Sequence, residues 1–321
     1  MVNGCENIFY EKDGRITRWR GRIESEERLN DIIQQIVAKV NRSVNMARPI
    51  CDARLEDGSR FSTVLSPIAL DGASLTIRKF SGKPMDMAKL VDIGALSHEA
   101  EEVLKTYVQA GYNILVSGGT GSGKTTFLNA LSGCIPNTER VITIEDAAEL
   151  RLQGIENLVR LETRAAGADG QGEISIRDLI KAALRMRPDR IIVGEVRDGG
   201  AALDMVIAMN TGHDGSLSTI HSNSAYDCIG RLETLLLTVS DMPLEAIRRQ
   251  IASAVDIIVH LGRMRDKSRK VVEIMEVGRD DDGGIVLNRL YGREGSECQL
   301  CKVGELKYKT GKLEGLLRNG L

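Results

Sequence analysis

A glycine-rich segment in the middle of the chain has the spacing of a phosphate-binding loop. It reads Gly-Gly-Thr-Gly-Ser-Gly-Lys-Thr over residues 118–125, between a predicted strand at 113–117 and a predicted helix. Glycines let consecutive backbone N–H groups turn toward phosphate oxygens, and the start of the following helix adds its positive dipole end. Lys124 is expected to reach the β- and γ-phosphates, and the Thr125 hydroxyl to complete a Mg²⁺ shell that otherwise keeps waters. The predicted nucleotide-binding residues are Gly118, Gly119, Thr120, Gly121, Ser122, Gly123, Lys124, Thr125 and Thr126.

Acidic residues follow two other predicted strands. Glu195 ends the segment 190–195, in which Gly194 stands where the metal-binding strand of such proteins usually carries Asp. A carboxylate at this end of a strand could orient the attacking water or a magnesium water, and a merely solvated carboxylate is the alternative. Glu145 and Asp146 end the predicted strand 141–144 in the same way, where ordinary turn chemistry is the alternative.

Two histidines bracket a predicted strand at 216–220. Near a γ-phosphate, His213 or His221 could sense or polarise it; ordinary loop histidines are the alternative. A zinc site would need a third ligand at metal spacing, which this segment does not supply. The phosphate loop alone does not distinguish kinase, GTPase and ATPase, but the chain has no Asn-Lys-x-Asp segment for reading guanine.

The elements that would position these residues divide into two predicted domains. Residues 1–92 show hairpin patterns around a helix whose apolar residues recur at helical spacing, which indicates a small α+β domain. Residues 96–321 alternate helix and strand, which indicates an α/β domain with a largely parallel sheet and a β-rich tail. The stretch 81–95 is predicted to be the linker and the hinge.

Composition restricts the function classes. The 321 residues carry 43 Lys and Arg against 45 Asp and Glu, a net charge of −2, and 3% are aromatic. Near-balanced charge and few rings for base stacking argue against a dedicated nucleic-acid binder. No apolar run approaches the length of a membrane-spanning helix, and no signal segment opens the chain, so we expect a cytoplasmic protein.

The end of the chain carries a close cysteine pair and an excess of basic residues. Cys298 and Cys301 could be free thiols, a redox pair or half of an intersubunit metal site. From residue 302 onward the tail has five basic and two acidic side chains, Lys302, Lys307, Lys309, Lys312 and Arg318 against Glu305 and Glu314. It could contact anionic lipid or a partner, and a solvated face is the alternative.

Together these segments resemble the traffic ATPases of type II and type IV secretion. Residues 144–150 resemble their Asp box, 185–197 their atypical Walker B and 212–221 their His box. The resemblance covers roughly residues 1–280 and is greatest to the CpaF-like branch, the motors of the tight-adherence (Flp) pilus. In that branch Gly also replaces the Walker B Asp.

The resemblance implies a PAS-like N-terminal domain and a RecA-like P-loop motor domain, assembled as a hexamer that binds ATP and Mg²⁺ between its two domains. It implies a motor for pilus assembly or protein secretion, peripheral to the inner face of the cytoplasmic membrane through inner-membrane platform proteins, with no direct nucleic-acid contact. Thr125 and waters near Glu195 would hold the Mg²⁺. The catalytic residues it implies are Glu195, Glu145, Asp146, His213 and His221. It also implies four phosphate-contacting arginines, Arg60, Arg78, Arg160 and Arg164.

Three other functions stay open from the sequence. They are a conjugation or nucleic-acid-translocating ATPase, a nucleotide-dependent scaffold that does not hydrolyse, and a small-molecule kinase, for which no lid is recognised. The chain begins at Met1-Val2-Asn3-Gly4, where members of the resembling family lead in from a longer strand. We therefore expect either a truncated start or a shorter protein.

Overall fold

The computed structural model describes residues 1–12, 15–40, 42–79, 85–164, 166, 171–280, 282–293 and 299–318. The chain divides into two compact units, Met1–Lys83 and Pro84–Leu321. The division falls inside the predicted linker, 81–95.

The first unit is an antiparallel sheet with a helix packed against it. Its described elements are β1 (Val2–Asn3), β2 (Asn7–Lys12), β3 (Arg15–Arg18), α1 (Glu26–Lys39), β4 (Ile50–Arg54), β5 (Arg60–Val64) and β6 (Ser74–Arg78). The strands lie in the order β3-β2-β1-β6-β5-β4. The predicted hairpin of β2 and β3 is confirmed, with Tyr10 opposite Thr17.

Helix α1 closes the core of the first unit. The Ser25 hydroxyl accepts a hydrogen bond from the Arg28 N–H and caps the helix. Leu29, Ile33 and Val37, four residues apart, are fully buried against the sheet. The predicted apolar face is therefore the one that the helix packs inward.

The second unit is a mixed sheet with helices on both faces. Its described helices are α2 (Met87–Asp92), α3 (His98–Gln109), α4 (Lys124–Ser132), α5 (Ile176–Ala183), α6 (Gly199–Asn210), α7 (Ala225–Leu237), α8 (Leu244–Ala254) and α9 (Thr310–Arg318). Its described strands are β7 (Ile114–Gly118), β8 (Val141–Glu145), β9 (Leu158–Glu162), β10 (Arg190–Val193), β11 (Leu217–His221), β12 (Ile257–Arg263), β13 (Arg269–Arg279), β14 (Ile285–Gly292) and β15 (Cys301–Lys302). Helix α2 occupies the second half of the predicted linker and buries Met87 and Leu90 in the core of this unit.

The strand order in this sheet is β15-β14-β13-β12-β7-β11-β10-β8-β9. The six strands from β12 to β9 run parallel, and β13, β14 and β15 pair antiparallel beyond them. Strands β7, β8 and β10 are buried along their whole length because apolar layers cover both faces. The carboxyl ends of the parallel strands therefore meet at one edge, where ligands bind in such sheets.

The basic tail is tied to the opposite edge of the sheet. The ammonium groups of Lys309 and Lys312 lie 3.1 Å and 2.7 Å from the two carboxylate oxygens of the buried Asp256. The fully buried carboxylate of Glu276 accepts hydrogen bonds from three consecutive backbone N–H groups, those of residues 307–309. Neither a lipid or partner contact nor a solvated face, the two alternatives for the tail, describes Lys309 and Lys312, because Asp256 neutralises their charges within the fold.

Two other features of the sequence bear on the tail and on membranes. Cys301 is an exposed free thiol, and Cys298 lies outside the described residues, so the alternatives of a redox pair and of half an intersubunit metal site stay predictions. Within the described ranges no three His, Cys, Asp or Glu side chains group in a way that could hold a metal ion. Nor does any helix in those ranges combine the length and apolarity needed to cross a membrane.

Candidate nucleotide site

The glycine-rich segment forms a loop between the end of β7 and the start of α4. Gly118, Gly121 and Gly123 have φ of 152°, 70° and 95°, conformations that side chains with a Cβ rarely adopt. A Cβ on Gly118 would lie 2.6 Å from the Leu261 carbonyl oxygen, whereas no atom lies within 4 Å of a Cβ position on Gly119. Since α4 begins without a side-chain cap, its first N–H groups face this open loop. The loop thus has the shape and polarity that phosphate oxygens need.

The ammonium group of Lys124 lies inside this loop. Its Nζ donates to the carbonyl oxygens of Gly118 and Gly119, both at 3.0 Å, and the residue is only 7% exposed. Nζ also lies 3.2 Å and 3.4 Å from the two ring nitrogens of His221. Burial lowers the pKa of His221, and the neighbouring Lys124 lowers it further, so the ring is neutral near pH 7.

Glu195 lies between a histidine and an arginine. Its Oε1 is 2.8 Å from His221 Nε2, and its Oε2 accepts a hydrogen bond of 2.7 Å from Arg197. The contact with His221 lacks hydrogen-bond geometry, and Oε1 is buried without a hydrogen-bond partner among the described residues. Arg197 also lies 3.0 Å from Asp146 and so links the two carboxylates.

Arg197 is the residue of this cluster that the site prediction missed. The signal was available in its spacing, since residues two apart in an extended segment point to the same side, and Arg197 follows Glu195 by two. Hydrogen bonding to Glu195, together with the charges of Glu195 and Asp146, raises the pKa of Arg197.

Glu145 ends β8 beside Gly194. Its Oε2 accepts hydrogen bonds from the backbone N–H groups of Glu149 and Leu150 at 2.7 Å and 2.9 Å, and its Oε1 is buried with no partner within the described ranges. Burial raises the pKa of Glu145 against the opposing effect of these hydrogen bonds. A Cβ on Gly194 would lie 3.1 Å from the Glu145 Cγ, so Gly at this position leaves room for the buried glutamate.

The available oxygen atoms suit a magnesium ion and its waters. Thr125 is half-buried at the second position of α4. The Oε1 atoms of Glu145 and Glu195 accept no hydrogen bond from the described residues. Glu145 ends β8 and Glu195 lies two residues beyond the end of β10, so the parallel register brings both to the same edge as the loop. Hydroxyl, carboxylate and water oxygens are the ligands that Mg²⁺ takes in proteins.

His213 does not join this cluster. It precedes β11, whose residue His221 lies opposite Gly118, and four residue steps of ~3.3 Å separate the two ends of that strand by about 13 Å. Its Nδ1 lies 3.3 Å from the Ala208 carbonyl oxygen instead. His213 therefore lies at the end of β11 away from the loop of its own chain, and its catalytic role stays a prediction.

Two of the four predicted arginines, Arg160 and Arg164, lie away from the loop of their own chain. Arg160 donates to the Leu150 carbonyl oxygen from β9, which is four strand spacings of ~4.8 Å, about 19 Å, from β7. Arg164 donates to the Gly172 carbonyl oxygen at 2.8 Å. Neither reaches the loop of its own chain. Arg60 and Arg78 lie opposite each other on β5 and β6 of the first unit, and their approach to phosphate stays a prediction.

Comparison with known proteins identifies a family and several relatives with similar sequences. The chain matches the family described as "Type II/IV secretion system protein" over residues 1–311. A putative conjugal transfer protein of Mycobacterium tuberculosis is 34% identical over 280 residues, which are 85% of this chain and 79% of that protein. The type IV secretion system protein PtlH of Bordetella pertussis is 33% identical over 299 residues, 85% of this chain and 88% of that one.

A solved relative shares the fold. The crystal structure of the VirB11 ATPase from the Brucella suis type IV secretion system, in complex with sulphate, superposes with a TM-score of 0.50 and 28% sequence identity. The match covers 86% of this chain and 88% of that chain. The expected RecA-like secretion ATPase fold with an N-terminal domain is thereby confirmed.

Proposed function

The chain belongs to the type II/IV secretion system family, and from this premise we propose that it hydrolyses ATP with Mg²⁺ and converts the energy into mechanical work for a secretion or pilus machine. One observation carries the proposal. Lys124, His221 and Glu195 meet beside a loop whose backbone suits phosphate, with distances of 2.8–3.2 Å between successive partners.

Each side chain has a defined task in this hydrolysis. The loop and Lys124 hold the β- and γ-phosphates, because they offer N–H groups and a buried positive charge. Glu195 orients the attacking water with its partnerless Oε1, while Arg197 holds the other oxygen of the carboxylate. His221 stands between Lys124 and Glu195, where loss of the γ-phosphate changes its surroundings first. Mg²⁺, held by Thr125 and waters near Glu195, would neutralise charge on the phosphates.

The test compares Glu195→Gln and Lys124→Ala with the wild-type full chain. We expect Glu195→Gln to lower the rate of phosphate release by about 10²–10⁴-fold, the contribution of a positioned base, while the Kd for ADP stays within about threefold. We expect Lys124→Ala to weaken nucleotide binding as well. Glu102→Gln is the matched control, because its side chain is 70% exposed on α3 and only its 3.6 Å contact with His98 changes.

Two results would contradict the proposal in different ways. Wild-type turnover in Glu195→Gln would remove Glu195 from catalysis. Tight nucleotide binding by the wild-type chain without phosphate release would make the protein a nucleotide-dependent scaffold.

The finer assignment is a hexameric ring in which ATP lies between the two units and its hydrolysis moves the first unit about the stretch 81–95. It rests on the resemblance of the motifs, and Arg60 and Arg78 are the proposed phosphate contacts from the first unit. Mass measurement in solution, with and without a nucleotide analogue, tests the ring. Arg78→Ala should raise the KM for ATP if the first unit contacts the phosphates.

Pilus assembly through inner-membrane platform proteins, with the motor on the cytoplasmic side, is the proposed cellular task. Conjugal transfer is the second candidate, because one relative is named a conjugal transfer protein. The net charge of −2 and the 3% aromatic content argue against a direct grip on DNA in either task. Neighbouring genes for prepilins would favour the first, and ATPase stimulation by DNA that falls steeply with salt would favour the second.

A further inference from the structure

A buried histidine next to the phosphate loop has no task in the mechanism above. His260 lies on β12, directly opposite Ser117 of β7, and is 7% exposed. Its Nδ1 is 2.8 Å from the hydroxyl oxygen of Ser117. Ser117 is fully buried and immediately precedes Gly118, so the ring contacts the strand end from which the loop departs.

The same ring also contacts the segment that carries His221. The ring lies beside the backbone of Asn223, two residues after His221, and this neighbouring backbone raises the pKa of His260 against the effect of burial. A backbone group that favours the protonated ring presents its carbonyl, so we assign the proton of the neutral ring to Nε2, which leaves Nδ1 to accept from the Ser117 hydroxyl. Burial lowers the pKa of His260, which keeps the ring in the neutral form that can accept and donate at once.

A second side chain holds the next residues of that segment. Glu273 lies opposite His260 across β12 and β13, and its Oε1 accepts a hydrogen bond of 3.2 Å from the Ala225 N–H. Asn223 and Ala225 are therefore both attached to this pair of strands. Because β12 also pairs with β7, the segment after His221 and the phosphate loop share one support.

We propose that His260 is a positioning residue, which fixes the segment 222–225 relative to the phosphate loop and so holds His221 between Lys124 and Glu195. This inference rests on the proposed ATP hydrolysis. Its chemical basis is a buried neutral imidazole that lies between the Ser117 hydroxyl, 2.8 Å from Nδ1, and the backbone of the segment after His221. A misplacement of about 1 Å at a catalytic group costs up to about 100-fold in rate, so a bridge of this kind affects turnover without touching the nucleotide.

The test uses two substitutions of His260 in the full chain. His260→Leu removes the hydrogen bond to Ser117 and the polar contact with the Asn223 backbone, and we expect kcat for ATP to fall about 10–100-fold while the Kd for ADP changes less than about threefold. His260→Gln can accept from Ser117 through its oxygen and donate to Asn223 through its nitrogen. We therefore expect His260→Gln to restore kcat to within about threefold of the wild type. His98→Gln is the matched control, since that side chain is 73% exposed on α3.

A double-mutant cycle separates positioning from general stability. If His260 acts through His221, the variant that combines His221→Ala with His260→Leu should be no slower than His221→Ala alone. Losses that multiply, or wild-type kcat in His260→Leu, would overturn the inference.

If His260→Leu does not fold, Ser117→Ala takes its place, with an expected loss of about 2–5-fold in kcat that likewise disappears on the His221→Ala background. A multiplying or absent effect there would overturn the inference equally. Turnover in the wild type with no effect of these variants rejects only the positioning role. A wild type that binds ADP but releases no phosphate rejects the proposed hydrolysis itself, and the positioning role with it.

Discussion

The attachment of the tail at Glu276 can be tested by exchanging one atom. Glu276 is fully buried, its Oε1 accepts the N–H groups of Tyr308 and Lys309, and its Oε2 accepts those of Lys307 and the Asn288 side chain. In Glu276→Gln the side chain keeps its shape, but an NH₂ group replaces one of the two accepting oxygens. The two N–H donors that bonded to that oxygen then face an NH₂ group, which cannot accept a hydrogen bond.

The magnitude follows from those two donors. Each buried donor left without an acceptor costs about 1–3 kcal/mol, so the substitution should lower the stability of the docked tail by about 2–6 kcal/mol. Release of the tail limits the loss, because once residues 307–318 detach, their N–H groups bond to water. We therefore expect the tail to open locally before the second unit unfolds.

Hydrogen exchange of the α9 amides, together with urea denaturation, measures both events. The matched control is Glu305→Gln in the same tail. The Glu305 side chain is 78% exposed and that of its ion-pair partner Lys302 is 38% exposed, so this substitution should cost less than about 1 kcal/mol. Glu276→Gln should raise the exchange rates of the α9 amides by at least about tenfold relative to that control. Equal exchange in the two variants would refute the role given to Glu276.

Three further predictions concern the core and the site. Gly194→Ala places a Cβ 3.1 Å from the Glu145 Cγ and should lower the free energy of unfolding by about 1–3 kcal/mol. The control Gly315→Ala adds a Cβ where α9 has open space and should stabilise the tail by about 0.5–1 kcal/mol, so equal effects of the two substitutions in denaturation would contradict this reasoning. Arg197→Ala leaves Glu195 and Asp146 without their shared cation. Steady-state assays of this variant should show at least about tenfold slower phosphate release with an unchanged Kd for ADP, and unchanged turnover would contradict the role of Arg197. Because burial lowers the pKa of His260, the unfolded chain binds one more proton than the folded chain below about pH 6.5, and the free energy of unfolding should decrease as the pH is lowered, by at most about 1.4 kcal/mol per pH unit. Denaturation of His260→Gln between pH 7.5 and 5.5 should therefore show a weaker dependence on pH than the wild type, and an identical dependence would contradict this.

Local chemistry made much of the second unit predictable. Helix α5 begins with a capping box, in which Ser175 and Asp178 bond to each other's backbone N–H groups. The predicted strands before the loop and before Glu195 are β7 and β10. These predictions succeeded because the period of apolar residues and the cap chemistry act within a few residues of each other.

The positions of the two histidines and of the tail differ in how far the sequence determines them. His213 and His221 bracket the same strand, and parallel pairing brings only the carboxyl end of β11 to Gly118. The predicted parallel sheet already implies this difference, because carboxyl ends of parallel strands share one edge. The contact of Lys309 and Lys312 with Asp256, more than fifty residues earlier in the chain, is a long-range pairing that no local pattern encodes.

Buried carboxylates at the two edges of the sheet differ in how fully their oxygens are bonded, and the difference argues for function at the carboxyl edge. At the amino edge, both oxygens of Asp256 and of Glu276 have partners. At the carboxyl edge, the Oε1 of Glu145 is buried without a hydrogen-bond partner in the described part of the chain, and the Oε1 of Glu195 has only its 2.8 Å contact with His221 Nε2. A buried acceptor without a donor costs about 1–3 kcal/mol, so folding alone disfavours the arrangement of Glu145. The carboxylate oxygens that accept no hydrogen bond lie beside the phosphate loop, where water and a magnesium ion would supply their partners.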